Sequence, residues 1–368
     1  MHGFMAQGPC HAHGSAFLRR TAEPGGVSAP IFSHMEGKFP LRLLTPHASC
    51  RDATLGAAAY NALPVKGVGV LFVVSFGGGL VSGDHIDLDV DVGSHTRLLL
   101  LTQGSTKVYC ERRGGDFLEK LQHARPSLPV SEQYFRYIVR PHATLVLLPE
   151  PVTCFARSRY VQTQRIDLRC AQTSSLVLLD WFTSGRLLID GPKESTDMHR
   201  IPEFWHFYLY HSRNEVRVDG QVIARDCQEL SQDLPEKLIR DVPTDLSHRC
   251  APYTCYATLL LYGPEVATIC QAMEEEFDAI QQPQPLLRSG GTTGSSRIEP
   301  PPVLWSASSL SASAPIPGSD PKKAPSALPG LMVRLAGIDT EEVRDWLHKR
   351  LGAVRHLIGD DMYRIALG

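Results

Sequence analysis

The feature that most constrains the fold is a block of strand-like segments around a glycine-rich turn, between residues 68 and 109. The apolar run Val68–Ser75 leads into the turn at 76–84, and His85–Val92 then alternates strictly between polar and apolar residues. A second apolar run, Arg97–Thr102, follows. Strict alternation is typical of a strand with one buried face, and short apolar runs indicate strands buried on both faces. The block therefore predicts three strands joined at a glycine corner.

The same pattern of short strands continues to about residue 261, with an Asp219-Gly220 pair between two alternating runs that predicts a hairpin. Apolar residues at steps of three and four predict one helix at 264–281 and a second at 339–358, with Asp339 or Thr340 as its cap. We therefore predict a mainly β fold, a large body of stacked sheets with two α-helices, one mid-chain and one C-terminal.

Composition divides the chain into four segments. Residues 1–30 are expected to be a disordered tail, and 31–281 a β-rich body. Residues 282–329, rich in Pro, Ser, Gly and Ala, are expected to be a low-complexity insert, after which 330–368 complete the body. A smaller insert is expected at 111–129. The net charge of −2 gives no indication of nucleic-acid binding, and no apolar run is long enough to span a membrane. Nine scattered cysteines without a Cys-x-x-Cys pair favour reduced thiols and a cytoplasmic protein.

The glycine corner does not have the chemistry of a nucleotide site. Gly78 and Gly83 have the spacing of a phosphate-binding loop, but Asp84 stands where that loop needs a lysine. A strand follows the turn where a dinucleotide-binding motif has a helix. The glycines are therefore expected to serve a tight turn. The Asp84 carboxylate would then either coordinate a metal or accept backbone N–H groups.

Besides Asp84, two groups of residues are candidate metal ligands. Alternation places His85, Asp87, Asp89 and Asp91 on one face of their strand, either as a solvated face or as a transient path for a divalent cation. Successive side chains on that face lie about 7 Å apart, so two neighbours would need a third ligand to hold an ion. The tail carries Cys10, His11 and His13, which either bind a soft or borderline metal or are incidental.

Signals for catalysis are weak. Ser105 and Lys107 are not part of a nucleophile elbow, and no feature locates the carboxylate pair that a carbohydrate-active hydrolase requires. Arg186 is expected to form an ion pair in the body or to contact a partner. A β-rich hydrolase and a general interaction module remain the alternatives at this level.

Two motifs give the chain a specific resemblance to the urease accessory protein D family, UreD, called UreH in some bacteria. The first is the glycine corner, and the second is the segment that begins at residue 102. A turn at 148–151 and the Gly185-Arg186 pair agree with it, whereas Ser82 and Gly104-Ser105 depart from the usual pattern. The residues that carry the two motifs and the pair are Gly78, Gly79, Gly83, Asp84, Thr102, Gln103, Thr106, Lys107, Tyr109, Gly185 and Arg186.

The resemblance implies a chaperone without catalytic activity that binds apo-urease together with the F and G accessory proteins, of which the G protein is the GTPase. It implies a β-rich, helically wound stack of sheets through which Ni²⁺ passes without being stably bound. Asp84 matches the motif aspartate of the family, and Asp226 stands where the family tends to have an acidic residue. Carboxylates suit a transient nickel path, because Ni²⁺ accepts oxygen ligands and must be released again.

Overall fold

A computed structural model describes residues 10–22, 28–46, 67–110, 129–186, 203–232, 244–280, 300–310 and 330–368. The insert predicted at 111–129 lies almost entirely outside these residues, as does most of the insert at 282–329. No helix in the described ranges is long and apolar enough to cross a membrane.

The described residues form eighteen strands and five α-helices. The strands are β1 (His11–Ala22), β2 (Ser28–Gly37), β3 (Leu41–Leu44), β4 (Val68–Ser75), β5 (Gly79–Leu80), β6 (His85–Val92), β7 (Arg97–Thr102), β8 (Thr106–Val108), β9 (Ser131–Val139), β10 (Thr144–Leu147), β11 (Val152–Cys154), β12 (Arg159–Leu168), β13 (Ser175–Thr183), β14 (Leu209–Val218), β15 (Gln221–Ser231), β16 (Cys255–Tyr262), β17 (Val303–Ser309) and β18 (Gly330–Gly337). The helices are α1 (Asp245–Cys250), α2 (Ala267–Ile280), α3 (Thr340–Arg350), α4 (Arg355–Ile358) and α5 (Asp360–Leu367), with 3₁₀ turns at Phe76–Gly78, Pro264–Val266 and Gly352–Val354.

The chain winds between two sheets. The outer sheet has the strand order β15-β14-β12-β9-β6-β1-β2, and the central sheet has the order β17-β18-β16-β13-β10-β7-β4-β3. Successive strands alternate between the sheets, from β6 to β7, then to β9, β10, β12 and β13. Strands from successive turns consequently pair in parallel within each sheet. The prediction of a mainly β, helically wound stack of sheets is confirmed.

Two apolar cores separate three layers. One core lies between the two sheets and contains Ile86 and Leu88 from β6 and Leu145 from β10. The other lies between the central sheet and the helices and contains Leu99 of β7 and Leu347 of α3. The central strands are therefore buried on both faces, which explains their continuous apolar runs. The outer sheet faces solvent on one side, so the sequences of its strands alternate between polar and apolar residues.

Short turns stack on one another where the chain passes between the sheets. At one edge, β5, β8 and β11 pair side by side in parallel. At the opposite edge, the rings of His95 and His142 stack with their centroids 4.6 Å apart. The segments that carry the two sequence motifs thus occupy equivalent positions in successive turns of the winding.

The prediction of a disordered tail over 1–30 was wrong for the described part of that segment. Residues 11–22 form β1, which pairs in parallel with β6 and antiparallel with β2. The residues that β1 turns toward the core include Ala12, Gly14 and Ala16, and all three are buried. Because these residues are small, the first half of β1 lacks the large apolar side chains by which a strand is usually recognised.

The helical predictions need two corrections. The helix expected at 264–281 is present as a 3₁₀ turn followed by α2, but the one expected at 339–358 ends at Arg350. A 3₁₀ turn, α4 and α5 follow, with a break at Gly359, whose φ of 90° is unfavourable for other residues. Asp339 caps α3 as predicted, because its carboxylate accepts the N–H of Glu342.

Two further segments have secondary structure that was not predicted. Helix α1 was not predicted, because its six residues are too few to show a helical period. The region expected to be a low-complexity insert contains β17, which pairs with β18 through its whole length. Trp305 of β17 packs against Trp346, which gives this Ser- and Ala-rich strand an anchor. The predicted hairpin at Asp219-Gly220 joins β14 to β15.

Candidate functional site

A cavity of about 350 Å³ lies between the two sheets and extends to the glycine corner. This volume is far larger than the roughly 30 Å³ that one water molecule occupies in the liquid. At the corner the lining residues other than the buried Gly79 are at least partly exposed, whereas at the other end they are buried. The lining at the corner includes Ser75, Gly78, Gly79, Thr102, Gln103, Gly104, Ser105, Thr106, Pro149 and Glu150, and the buried lining includes Gln133, Tyr137, Gln162, Gln164, Asp180 and Trp181.

The buried end of the cavity contains the carboxylate of Asp180. Ser212 Oγ and Asn214 Nδ2 donate to its Oδ2 at 2.5 and 2.6 Å, and Gln162 Nε2 donates to its Oδ1 at 3.1 Å. Burial raises the pKa of Asp180 above its ordinary value, although these three hydrogen bonds oppose the shift, and the charge of Asp226 adds to it. The charged carboxylate is therefore less favourable here than in water, and the hydrogen-bond donors described for it are neutral, so a nearby cation would stabilise it.

The polar network extends from Asp180 across the outer sheet. The Tyr160 hydroxyl lies 2.6 Å from Gln133 Oε1 and 2.8 Å from Gln162 Oε1, and the Gln164 amide donates to Asn214 at 3.0 Å. The amides of β12 therefore have fixed orientations. Burial raises the pKa of Tyr160, so its hydroxyl remains protonated at neutral pH. The cavity consequently presents oxygen and amide groups in defined positions, with a carboxylate at its buried end.

The two sequence motifs meet at the corner end of this cavity. Gly79 packs so closely that an added Cβ would lie 2.1 Å from the carbonyl oxygen of Lys107. Gly78 has a φ of 74° but open space around it, so its requirement is conformational. Thr102 donates to the Gly104 carbonyl and accepts the N–H of Glu150, which links the second motif to the turn at 148–151.

Asp84 is buried beneath the glycine corner. Its Oδ2 accepts the N–H of Val81 at 2.8 Å, and its Oδ1 accepts the N–H of Cys10 at 3.2 Å. Two roles were considered for this carboxylate, and in the structure it accepts backbone N–H groups. Its Oδ2 closes the glycine turn and its Oδ1 ties that turn to the start of β1. Gly83 supports the same turn with a φ of 89°.

Arg186 forms an ion pair within the body, with its guanidinium 2.7 Å from Glu203 Oε1. Glu203 Oε2 in turn accepts the N–H of Ala156. Gly185 allows the backbone of Glu203 to approach closely, because a Cβ there would lie 2.0 Å from the main-chain carbonyl oxygen of Glu203. The Gly185-Arg186 pair therefore joins the end of β13 to the segment that leads into β14.

The acidic residues of β6 lie on the solvent side of the outer sheet. Asp89 pairs with Arg136 at 2.6 Å, and Asp91 is bracketed by Arg19 and Arg140 at 3.0 and 2.8 Å. Burial raises the pKa of Asp91, but hydrogen bonds from Arg140 and Arg19 outweigh that effect and lower it. These two carboxylates are therefore matched by arginine charges and form part of a polar face.

His85 and Asp87 lie beside β1, which brings His11 and His13 to the same face. His11 Nε2 is 2.8 Å from Asp87, and His13 Nε2 is 3.2 Å from Asp89. Burial raises the pKa of Asp87, but hydrogen bonds from His11 and His85 outweigh it, and the net shift is downward. The Cys10/His11/His13 segment and the acidic strand, predicted separately, are thus neighbours.

Asp226 lies apart from these groups. It is buried, and its Oδ1 accepts from the Arg334 guanidinium at 2.7 Å while its Oδ2 accepts from Thr258 at 2.9 Å. Both oxygens are therefore engaged in cross-links between β15 of the outer sheet and strands β16 and β18 of the central sheet. Of the predicted metal ligands, His85, Asp87 and Asp89 share a face, whereas Asp84 and Asp226 each occupy a separate buried position.

Sequence reasoning did not single out Asp180, Gln162 or Gln164 as site residues. A signal was available for Asp180, since it is the one charged residue in the apolar run 176–182. A polar group in a strand buried on both faces requires hydrogen-bonding partners. Gln162 and Gln164 alternate with Val161 and Thr163, and their spacing of two predicts a shared face but leaves open that it is the inward one.

A sequence model described as UreD urease accessory protein matches residues 14–365. The chain is 31% identical over 341 residues to urease accessory protein 4 of Cryptococcus neoformans var. grubii, which covers 91% of this chain and 90% of that protein. The chain belongs to the UreD urease accessory protein family. It is also 29% identical to urease accessory protein D of Oryza sativa subsp. indica, over 88% of this chain and 87% of that protein. Urease accessory protein UreD of Sorangium cellulosum is 29% identical over 94% of this chain and 85% of that protein.

Membership of the UreD family confirms the assignment made from the glycine corner and the motif at 102–109. It also confirms the prediction that the chain acts as an accessory protein and not as an enzyme. The alternative of a β-rich hydrolase would have required an enzyme. The UreD match includes residues 14–22, part of the segment that was expected to be a disordered tail.

Proposed function

We propose that this UreD protein is a scaffold that binds apo-urease together with UreF-like and UreG-like accessory proteins, and that Ni²⁺ reaches urease through the cavity between its two sheets. Membership of the urease accessory family supports the general role. The single observation that carries the nickel route is the Asp180 carboxylate at the buried end of the cavity. The UreG-like partner supplies GTP hydrolysis, which agrees with a glycine corner that lacks a phosphate-loop lysine.

The chemistry of the cavity suits a cation that must pass and not remain. Ni²⁺ binds oxygen and nitrogen ligands, and a site that holds it firmly usually offers several imidazole or thiolate groups. The described buried lining offers one carboxylate and neutral amide and hydroxyl groups. Such a lining attracts a divalent cation electrostatically and yet permits its release. In this proposal no nickel is stably bound in the cavity, and it is cargo, not a cofactor.

The exposed end of the cavity places the family motifs where a partner protein would meet them. Phe76 and Val81 flank the glycine corner and are about half exposed, and the Phe76 ring contacts the exposed ring of Phe39. Exposed apolar side chains of this size at a defined edge are typical of protein-binding surfaces. We place apo-urease or an accessory partner at this corner, with neither nucleic acid nor a membrane as partner, and the complex in the cytoplasm, where the cysteines would remain reduced.

The test is urease activity on co-expression of the urease subunits and accessory proteins, with and without this chain, at limiting nickel. Omission of the chain should abolish most activation. Asp180→Asn keeps the size of the side chain and one oxygen that can accept from both Ser212 and Asn214, at the loss of the acceptor for Gln162. The fold should remain while activation falls at least about tenfold, a change of about 1.4 kcal/mol in free energy. Asp89→Asn, on the solvent side, is the matched control and should activate normally.

Two outcomes would contradict the proposal. Full activation without the chain would remove the accessory role. Normal activation by Asp180→Asn at limiting nickel, with the protein still bound to urease in pull-down, would leave the scaffold but remove the cavity as the route.

A further inference from the structure

Three potential metal ligands converge on the solvent side of the outer sheet. His11 Nε2 lies 2.8 Å from Asp87 Oδ2, and His85 Nε2 lies 3.1 Å from Oδ1 of the same carboxylate. One ligand atom from each of the three residues lies within 4.8 Å of the others. The two imidazole rings meet edge to face with their centroids 4.5 Å apart. Two imidazoles and one carboxylate therefore surround a single point.

The pairing of β1 with β6 creates this convergence. The parallel register places His11 directly beside His85, 74 residues further along the chain. Within β6 alone, the backbone positions of His85 and Asp87 are about 7 Å apart along one face. Their side chains reach one another, but the pair supplies only two ligand groups. The third ligand that such a pair requires comes from the neighbouring strand.

We propose that His11, His85 and Asp87 form a binding site for one borderline divalent cation, such as Ni²⁺ or Zn²⁺, separate from the cavity between the sheets. Imidazole nitrogen with a carboxylate oxygen is a ligand set that suits these ions, and it favours them over Mg²⁺ or Ca²⁺, which take oxygen ligands. The choice of Ni²⁺ as the principal probe rests on the proposed function, whereas the site itself rests on the geometry.

A fourth group orients one of the ligands. Glu132 Oε2 lies 3.1 Å from His85 Nδ1, on the side of the ring opposite to Asp87. A carboxylate that accepts the second N–H of an imidazole fixes the tautomer and leaves the other nitrogen free to bind metal. The site is also accessible from solvent, because the side chains of His11, His85 and Asp87 are 68%, 34% and 28% exposed.

The test is calorimetric titration of the purified whole chain with Ni²⁺ and with Zn²⁺, in the absence of urease. The wild-type chain should show a site that His11→Ala and His85→Ala each weaken, by at least about tenfold, because loss of a supporting residue alone commonly costs that much. His11 is mostly exposed, so its replacement should leave the fold intact, which thermal unfolding followed by circular dichroism checks. Cu²⁺ with electron paramagnetic resonance provides a second readout, in which coupling to two nitrogens should fall to one in His11→Ala.

His13→Ala is the matched control. His13 lies on the same strand and the same face and also pairs with an aspartate, but its partner is Asp89, outside the cluster. It should bind Ni²⁺ as the wild type does. The proposal is overturned if the wild-type chain binds neither ion, or if His13→Ala and His11→Ala weaken binding equally.

Failure here is distinguishable from failure of the proposed function. If the titration shows no site while co-expression still activates urease, the metal site falls and the accessory function stands. If the site is present but the chain does not support urease activation, the accessory function falls and the metal site stands.

Discussion

Carboxylates on the two sides of the outer sheet have opposite electrostatic surroundings. On the solvent side, Asp89 and Asp91 are matched by arginines, and the pKa of Asp91 is lowered. On the inner side, Asp180 of the central sheet meets hydroxyl and amide donors of the outer sheet, and its pKa is raised. The difference shows which acidic groups retain attraction for a cation. Those with arginine partners are already neutralised, whereas the side chains that donate to Asp180 in the described part of the chain, from Gln162, Ser212 and Asn214, are all neutral.

The largest effect expected from this comparison is on stability. Asp180→Ala should lower the free energy of unfolding by about 2–4 kcal/mol, because it leaves buried donors of Ser212, Asn214 and Gln162 without an acceptor. Relief from burying the carboxylate offsets part of that loss. Urea unfolding of the purified proteins measures the difference.

Asp89→Ala is the control on the solvent side. It removes exposed pairs with Arg136 and His13 and should cost no more than about 1 kcal/mol. Equal losses of unfolding free energy in the two variants would show that the inner network contributes no more to stability than the exposed pairs do.

A smaller effect is expected in the pH dependence of stability, with opposite signs for the two faces. Burial raises the pKa of Asp180, so its contribution is complete below the unfolded pKa of about 3.9 and is lost as pH rises through its folded value. The stability difference between wild type and Asp180→Asn should therefore shift in favour of the variant as pH rises above about 4.

The pH dependence of stability should have the opposite sign for Glu215, on the outer sheet. Burial raises the pKa of Glu215, but hydrogen bonds from Arg217, Arg225 and Arg213 outweigh it and lower the pKa to about 2. Its contribution is present above the unfolded pKa of about 4.3 and is lost as pH falls toward 2. The advantage of wild type over Glu215→Gln should shrink over that acid range in urea unfolding. The same sign for both pairs would contradict the contrast between the faces.

The sequence contained much of the fold, but not the neighbours that complete its sites. Alternation in β6 placed His85, Asp87 and Asp89 on one face, and the apolar run of β13 marked a central strand. The partner strand β1 was missed, since Ala12, Gly14 and Ala16 pack in the core without the bulk that marks a strand. The third metal-ligating candidate, His11, therefore could not be placed beside His85.

Roles of single carboxylates were harder still to predict. Asp84 belongs to a motif, but only the turn geometry shows that its oxygens accept the N–H groups of Val81 and Cys10. Asp226 and Asp180 are both buried, and their difference depends on whether the facing strand supplies Arg334 or Ser212. Pairings between distant strands decide this, and a local pattern does not contain them.

The most direct test of the nickel route is to close the cavity without altering Asp180. Thr106 lines the cavity near its exposed end, whereas Thr163, on the solvent side of β12, is partly exposed and does not line it. Nickel content and activity of urease should be measured after activation with Thr106→Trp and, as matched control, Thr163→Trp, with binding to urease verified by pull-down. The account predicts that Thr106→Trp binds urease but leaves it largely without nickel, while Thr163→Trp loads it normally. Full nickel loading by Thr106→Trp would contradict the account.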